Sequence, residues 1–308
     1  MKKLTFIGSL AALLLIVNML FSEFYQSAII SLLPQSYLLS DFIMEVLIFL
    51  PPLIIIFIIL IPKGINIKKT FRLNDMGALN IILISIISIF IQPVLMLVSA
   101  VSSMFFHNQA ADYLDSIVNM PSLSLLLVTA LIPAFFEEMY FRGLIFSNFK
   151  NMPVKKACFL CGLLFGMAHL NFNQFSYAFL MGMVFCYFVY ITDSIFSSML
   201  CHFLINGLQT ILAVMSSKFM AYESMTEAAE NTVLTFSDLI PVLYLTALSL
   251  IPLAFFMFLF HKHNIRRLKL TDSDEINTET VLEKTEGIFS LPLIITVIIF
   301  AAVAMMQM

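Results

Sequence analysis

Residues 121–146 read PSLSLLLVTALIPAFFEEMYFRGLIF. The stretch is long and apolar enough for a membrane-spanning helix, which needs about 20 mainly apolar residues. It nevertheless carries two adjacent carboxylates, Glu137 and Glu138, and one guanidinium, Arg142. Ionisable residues inside membrane helices are costly, and they usually mark a functional site. This segment therefore predicts both a membrane fold and a polar site within it.

The whole chain has the composition of a membrane protein. Of its 308 residues, 61% are hydrophobic and 11% are charged, whereas a soluble domain has about 45–50% apolar and about 25% charged residues. The apolar runs are continuous, while strands of a membrane barrel would alternate in polarity over about 10 residues. The expected fold class is therefore all-α, a polytopic transmembrane helix bundle. No basic patch with interleaved aromatic residues occurs, so the expected surroundings are a lipid bilayer and not nucleic acid.

Hydropathy predicts about nine spans (eight to nine) in a single transmembrane domain covering residues 1–308. With the N-terminus in the cytoplasm, every Lys and Arg except Lys218 falls on the cytoplasmic side, as the positive-inside rule requires. The expected location is the cell membrane, with multiple crossings. The predicted spans are 4–22, 41–62, 78–105, 121–146, 154–170, 174–192, 195–217, 236–260 and 288–307.

Polar residues inside the predicted spans cluster in one part of the chain, residues 121–217. At a rise of 1.5 Å per residue, Glu137, His169, His202 and Asn206 lie roughly 10–18 Å from the cytoplasmic surface. These depths are similar within a hydrocarbon core about 30 Å thick. Three helices are therefore expected to bring the four side chains into one buried polar site.

The spacing of these residues predicts how they pair. Glu138 and Arg142 are four residues apart with the acid first, so they can pair on one helix face and offset the cost of burying each charge. Glu137 is rotated by about 100° from Glu138 on a helix, so it needs a different partner or none. His202 and Asn206 also share a face. Four glycines are expected to let neighbouring helices approach closely: Gly143, Gly162, Gly166 and Gly207.

Other polar or reactive residues have an ordinary structural interpretation. Glu45 lies near the start of its predicted span and is interpreted as a boundary residue that reaches the interface. Cys158 and Cys161 form a CxxC, which we interpret as two small apolar residues on one helix face. Cys201 precedes His202, but adjacent helical residues point about 100° apart, so a Cys–His catalytic pair is not expected.

The clustered residue types suffice for attack of water on an amide bond. A buried glutamate without a charge partner suits the role of general base, and an imidazole and an amide can stabilise an oxyanion. A metal is the rival: Glu137, His169 and His202 could form a His₂Glu zinc site, although no HExxH pre-arranges two ligands. Without the zinc alternative, no cofactor is expected. Ion transport and a purely structural hydrogen-bond network remain open, although a transporter would show paired interrupted helices in two related halves.

Three motifs in this region resemble those of a known family. EEMYFR, residues 137–142, resembles the EExxxR motif of the CPBP family, which comprises type II CAAX prenyl endopeptidases and bacteriocin-processing or abortive-infection proteins. FGMAH, ending at His169, resembles its FxxxH motif, and HFLIN, residues 202–206, resembles its HxxxN motif. The motifs occur in the family's order within residues 121–206. The flanking spans carry no such resemblance.

The resemblance implies an intramembrane endopeptidase whose catalytic core is residues 121–217. Its substrate would be a hydrophobic peptide or a protein tail, and a glutamate mechanism without metal is now favoured for the family. Glu137 would activate the hydrolytic water and His169 would assist it. The remaining motif residues would bind the oxyanion or orient the water (His202, Asn206), or support the site (Glu138, Arg142, Phe165).

The substrate and the mode of action stay open at this stage. Eukaryotic members cut after a prenylated cysteine in a CaaX tail, whereas a bacterial member is expected to process a bacteriocin leader or signalling peptide, or to confer self-immunity. The alternative is a membrane scaffold, immunity or regulatory protein that acts by contact with a membrane-protein partner without proteolysis. In that case residues 63–75 and 261–287 would matter more than Glu137.

Overall fold

The structure, a computed structural model, describes residues 4–32, 37–64, 66–118, 120–149, 152–224, 236–275 and 289–307. These residues form helices and contain no strand, which confirms the predicted all-α class. The α-helices are α1 Leu4–Ile30, α2 Tyr37–Leu60, α3 Ile67–Thr70, α4 Ala78–Phe90, α5 Gln92–Ser103, α6 Gln109–Ile117, α7 Ser122–Leu126, α8 Ile132–Glu138, α9 Val154–Ala168, α10 Phe172–Thr192, α11 Ile195–Ser224, α12 Leu239–Glu275 and α13 Leu291–Met306.

Two π-helical segments interrupt the helix that carries the glutamates. Leu127–Leu131 separates α7 from α8, and Met139–Ile145 follows α8 directly. Single π-helical turns inside α-helices are uncommon and often occur at functional sites. Short 3₁₀ turns complete the described elements, at Ile61–Lys63, Phe146–Phe149 and Phe236–Asp238.

In the described part of the chain, 7 helical stretches are long and apolar enough to cross a membrane, so this is a multi-pass membrane protein. The other two predicted spans correspond to α9 and α13, which have 15 and 16 residues. At 1.5 Å per residue each is roughly 22–24 Å long, which is shorter than a hydrocarbon core of about 30 Å. The cytoplasmic N-terminus stays a prediction. The seven spans are Thr5–Ser22, Leu38–Leu60, Ala78–Ser103, Ser122–Phe149, Phe172–Thr192, Ile195–Ser216 and Leu239–Ile265.

Helices α9 and α10 pack with their backbones in contact. A Cβ atom on Gly182 would lie 2.7 Å from the Cα atom of Gly162, and a Cβ on Gly162 would lie 2.9 Å from the carbonyl oxygen of Phe179. Gly143 and Gly166 are similarly crowded by aromatic side chains. The expected close approach is absent at Gly207, where the nearest atom to such a Cβ is 3.7 Å away.

Substitution of Gly182 by alanine is expected to destabilise the bundle by about 1–3 kcal/mol, because the added methyl group meets backbone and the two helices must move apart. Thermal unfolding of the detergent-solubilised protein measures this loss. Gly207→Ala is the matched control, since its methyl group has ordinary contact distances. Equal unfolding midpoints for the two variants would contradict the packing described for α9 and α10.

The loop between α3 and α4 packs against the helix that bears the glutamates. Phe71 fills the space beside Gly143, so that a Cβ there would lie 2.3 Å from the Phe71 ring. The next residue, Arg72, accepts a hydrogen bond from the backbone of Ile195 at 3.1 Å and pairs with Asp193 at 3.6 Å. The loop therefore contacts both the EEMYFR segment and the start of α11.

Candidate active site

The buried centre of the site is the ion pair of Glu138 and Arg142. Arg142 Nη1 donates to Glu138 Oε1 at 2.8 Å, and both side chains are fully buried. This pair was expected from the four-residue spacing and is confirmed. Arg142 Nη2 also donates to the carbonyl of Gly182 at 3.3 Å, and the guanidinium lies 4.3 Å and 5.0 Å from the ring centroids of Phe165 and Phe185. A charge pair and cation–π contacts thus compensate the burial of Arg142.

His202 reaches the same carboxylate from α11. Its Nδ1 atom lies 2.9 Å from Glu138 Oε1, and a carboxylate that pairs with an arginine can only accept, so Nδ1 donates. The ring stacks on Phe185 at a centroid distance of 5.2 Å. These contacts direct Nε2 towards Glu137, whose Oε2 lies 3.9 Å away.

Glu137 differs from its neighbour in its surroundings. Its side chain is 19% exposed, while that of Glu138 is completely buried. The Oε2 atom of Glu137 is buried and has no hydrogen-bond partner among the described residues. The separation of 3.9 Å from His202 exceeds a direct hydrogen bond. The two adjacent glutamates therefore differ. Glu138 is bound by both Arg142 and His202, whereas Glu137 has a buried carboxylate oxygen without a hydrogen-bond partner.

His169 lies at the end of α9, next to the same aromatic residue that contacts Arg142. Its Nδ1 donates to the carbonyl of Phe165 at 3.0 Å, which leaves Nε2 as the acceptor. The Phe165 ring lies 5.2 Å from the His169 ring and 6.1 Å from the His202 ring. The FxxxH residues therefore place one aromatic ring between the two imidazoles.

Asn206 lies one turn beyond His202 on α11. Its Nδ2 donates to the carbonyl of Thr129 at 3.1 Å, within the first π-helical segment. The Thr129 hydroxyl lies 2.8 Å from that of Thr210, also on α11. The amide keeps a second N–H donor that the described contacts do not use. α11 thus bonds to the glutamate-bearing helix at two places, the first π-helical segment and the last residue of α8.

The zinc alternative would use Glu137, His169 and His202. In the described part of the chain, no group of three His, Cys, Asp or Glu side chains has an arrangement that could hold a metal ion. The Nδ1 atoms of His169 and His202 donate to the Phe165 carbonyl and the Glu138 carboxylate, so Nε2 would be the ligand atom of each histidine if zinc were bound. Cys201 is also engaged elsewhere, since it accepts from Ser88 on α4 at 3.3 Å.

One residue of the site was missed by sequence reasoning. Phe185 contacts both Arg142 and His202, and no motif or spacing distinguishes it from the other phenylalanines. Glu45, interpreted as a boundary residue, lies about two turns into α2 and has one buried carboxylate oxygen.

Comparison with known families locates a match on this same part of the chain. Residues 119–208 match the model of the family described as type II CAAX prenyl endopeptidase Rce1-like. Searches of curated proteins and of solved structures found no match. The matched stretch contains all three motifs and also Phe185, whereas Thr210 lies outside it. Residues 119–208 are therefore similar to the Rce1-like domain, and this likeness is consistent with a CPBP-family intramembrane protease of the CAAX type.

Proposed function

We propose that this chain is an intramembrane endopeptidase that hydrolyses a peptide bond in a hydrophobic peptide or protein tail, with water activated by Glu137. The observation that carries the proposal is the difference between the two glutamates. Glu138 is committed to Arg142 and His202, whereas Glu137 has a buried, partnerless oxygen 3.9 Å from His202. A separation of this size admits a bridging water.

In the proposed reaction, Glu137 takes a proton from this water as its oxygen attacks the carbonyl carbon of the substrate. His169 Nε2 accepts from the second O–H of the water and orients it. The C–N bond then breaks, Glu137 passes the proton to the leaving nitrogen, and a carboxylic acid and an amine are the products. No covalent enzyme intermediate and no metal are required.

The oxyanion of the tetrahedral intermediate would form beside α11. As an imidazolium, His202 would donate to the oxyanion through Nε2 while its Nδ1 continues to donate to Glu138. The free N–H of Asn206 is a second donor. Fixed donors in a site with little water stabilise developing charge more strongly than water does.

A comparison of peptide termini tests this proposal directly. Membranes and medium from cells carrying the wild-type chain are compared with those from cells carrying Glu137→Ala at matched expression. New termini are expected only with the wild type, and their sequences identify the substrate, including a bacteriocin leader or a CaaX-type tail. Matching profiles, together with an unchanged phenotype in the variant, would favour contact with a membrane partner over proteolysis.

Removal of metal ions is expected to leave cleavage unchanged, because the proposed mechanism uses only side chains and water. The measurement is the cleavage rate of the purified protein, in liposomes, before and after dialysis against a strong chelator. Loss of activity that returns with added zinc would contradict the metal-free mechanism. Loss of activity together with a lower unfolding midpoint would indicate a structural metal instead.

A further inference from the structure

The turn between α10 and α11 is bonded to the loop between α3 and α4 in an uncommon backbone conformation. Asp193, in the turn, has a φ of 51°, and Arg72, in the loop, has a φ of 47°. Left-handed backbone is rare for residues other than glycine, and it persists where surrounding contacts hold it. Among the described residues, Leu170 is the third non-glycine residue with a positive φ. Two of these three residues therefore meet in one contact.

Polar contacts join the turn to the loop on several atoms. Asn74 Nδ2 donates to both the backbone carbonyl and the Oδ2 atom of Asp193, each at 2.9 Å. Ser194 Oγ donates to the carbonyl of Asn74. The backbone N–H of Ile195 donates to the carbonyl of Arg72 at 3.1 Å, and Arg72 Nε lies 3.6 Å from Asp193 Oδ1. The start of α11 is thus bound to the loop through both side chains and backbone.

The same loop also packs on the glutamate-bearing helix. The Phe71 ring fills the space beside Gly143, within the EEMYFR segment's π-helical continuation. The Arg72 guanidinium lies 5.0 Å from the centroid of the Phe146 ring. Loop residues 71–74 therefore lie between the glutamate-bearing helix and the first residues of α11.

The position of α11 decides the geometry of His202. This residue lies seven positions after Ile195, so about two helical turns separate it from the loop contact. Its Nδ1 atom lies 2.9 Å from Glu138 Oε1, while its Nε2 atom lies 3.9 Å from Glu137 Oε2. Both distances depend on the rotation and depth of α11. A displacement of about 1 Å at a reacting group can lower a rate about 100-fold.

We propose that Asp193 and Asn74 are positioning residues of the candidate active site. Their hydrogen bonds hold α11 against the loop that packs on the glutamate-bearing helix, and this fixes the place of His202 beside the two glutamates. The inference rests on the proposed function, in which His202 donates to the oxyanion. Neither residue belongs to the three motifs, and the side chain of Asp193 is 56% exposed, so both act through α11 and not on the substrate.

Removal of the Asn74 amide tests the effect on the reaction. Asn74→Ala loses both hydrogen bonds to Asp193, while Ser194 keeps its backbone acceptor. With the substrate from the termini comparison, kcat should fall about 10–100-fold with little change in KM, because His202 acts on the intermediate. A role confined to stability would lower the unfolding midpoint and leave kcat of the folded protein unchanged, which would overturn the proposal. Asp75→Asn, in the same loop, is the matched control and should have the wild-type kcat.

An NMR signal reports the position of His202 without any substrate. In protein that contains isotope-labelled histidine, the proton on His202 Nδ1 is shifted downfield by its hydrogen bond to Glu138. Its signal is identified by its loss in His202→Gln. The signal should move upfield or broaden in Asn74→Ala, because α11 no longer holds this hydrogen bond at 2.9 Å. The same signal in Asn74→Ala as in the wild type would overturn the proposal.

An exchanged pair tests the contact by rescue and covers the case in which Asn74→Ala does not fold. Asn74→Asp places a second carboxylate beside Asp193 and should impair the His202 signal and kcat. Adding Asp193→Asn restores a donor and an acceptor across the same gap, and asparagine also suits left-handed backbone. The signal and part of the lost kcat should return in this double variant. A folded double variant in which neither returns would overturn the proposal.

Failure of this inference is distinguishable from failure of the proposed function. If the His202 signal responds to Asn74→Ala but the wild type cleaves no peptide, the positioning of His202 stands and the peptidase assignment falls. If cleavage depends on Glu137 but neither the signal nor kcat responds to changes at Asn74, the peptidase stands and this inference falls. A signal that responds while kcat keeps its wild-type value would also overturn the positioning role.

Discussion

Replacement of Glu137 by glutamine is expected to lower the rate of peptide cleavage by about 10²–10⁴-fold, the usual contribution of a general base. Glutamine has nearly the same shape but accepts no proton from water. The fold should persist, because the described contacts give the Oε2 atom of Glu137 no hydrogen bond to lose. The measurement is kcat/KM of the purified variant on the substrate identified from peptide termini, together with its thermal unfolding midpoint.

The matched control for this substitution is Asp115→Asn, which also neutralises one carboxylate but does so on the exposed α6. Its cleavage rate should equal that of the wild type. Full activity of the Glu137→Gln variant would contradict the proposal that Glu137 activates the water. A loss of activity accompanied by a loss of the unfolding transition would instead show that Glu137 is needed for the fold.

Replacement of Arg142 by methionine is expected to have the largest effect on stability. The change leaves the buried Glu138 without its arginine partner, and breaking a buried ion pair typically costs about 3–5 kcal/mol. The cation–π contacts with Phe165 and Phe185 are lost as well. The measurement is the thermal unfolding midpoint in detergent, compared with that of the wild type.

The double variant Glu138→Gln with Arg142→Met separates charge from packing. It contains no unpaired buried charge, so much of the lost stability should return. Cleavage should remain low, because His202 no longer donates to a carboxylate and its orientation and charge are less well fixed. A single Arg142→Met variant as stable as the wild type would contradict the presence of a buried charge pair at this position.

Much of the site could be predicted because intramembrane polar residues are rare in this chain. The Glu138–Arg142 pair follows from a spacing of four, and the pairing is present although the backbone there is π-helical. The meeting of His169, His202 and the glutamates follows from their similar depth on separate helices. The expected depth of each polar residue in the membrane therefore strongly limits which side chains can meet, even when the neighbours of each helix are unknown.

The unpredicted features depend on which helix faces meet. The contact between His202 and Glu138, and the choice of Phe185 as its stacking partner, depend on the rotation of α10 and α11, which spacing within one helix does not define. The first π-helical segment also carries no distinctive sequence, since neither glycine nor proline lies within Leu127–Leu131. The predicted span began at residue 41, whereas the helix starts at Tyr37, so Glu45 lies about one turn further into its helix than expected.

Contacts with other parts of the chain position residues 119–208, the segment that matches the family. Phe71 occupies the space beside Gly143, the hydroxyl of Tyr140 donates to the carbonyl of Ala11 at 2.8 Å, and Gln92 donates to the carbonyl of Ile205 at 3.0 Å. A foreign scaffold that received only the motif-bearing helices would therefore contain the reactive groups but not the contacts that align them. It also means that changes in α1, α5 and the loop at Phe71 can alter the alignment of the site while the motifs themselves stay identical.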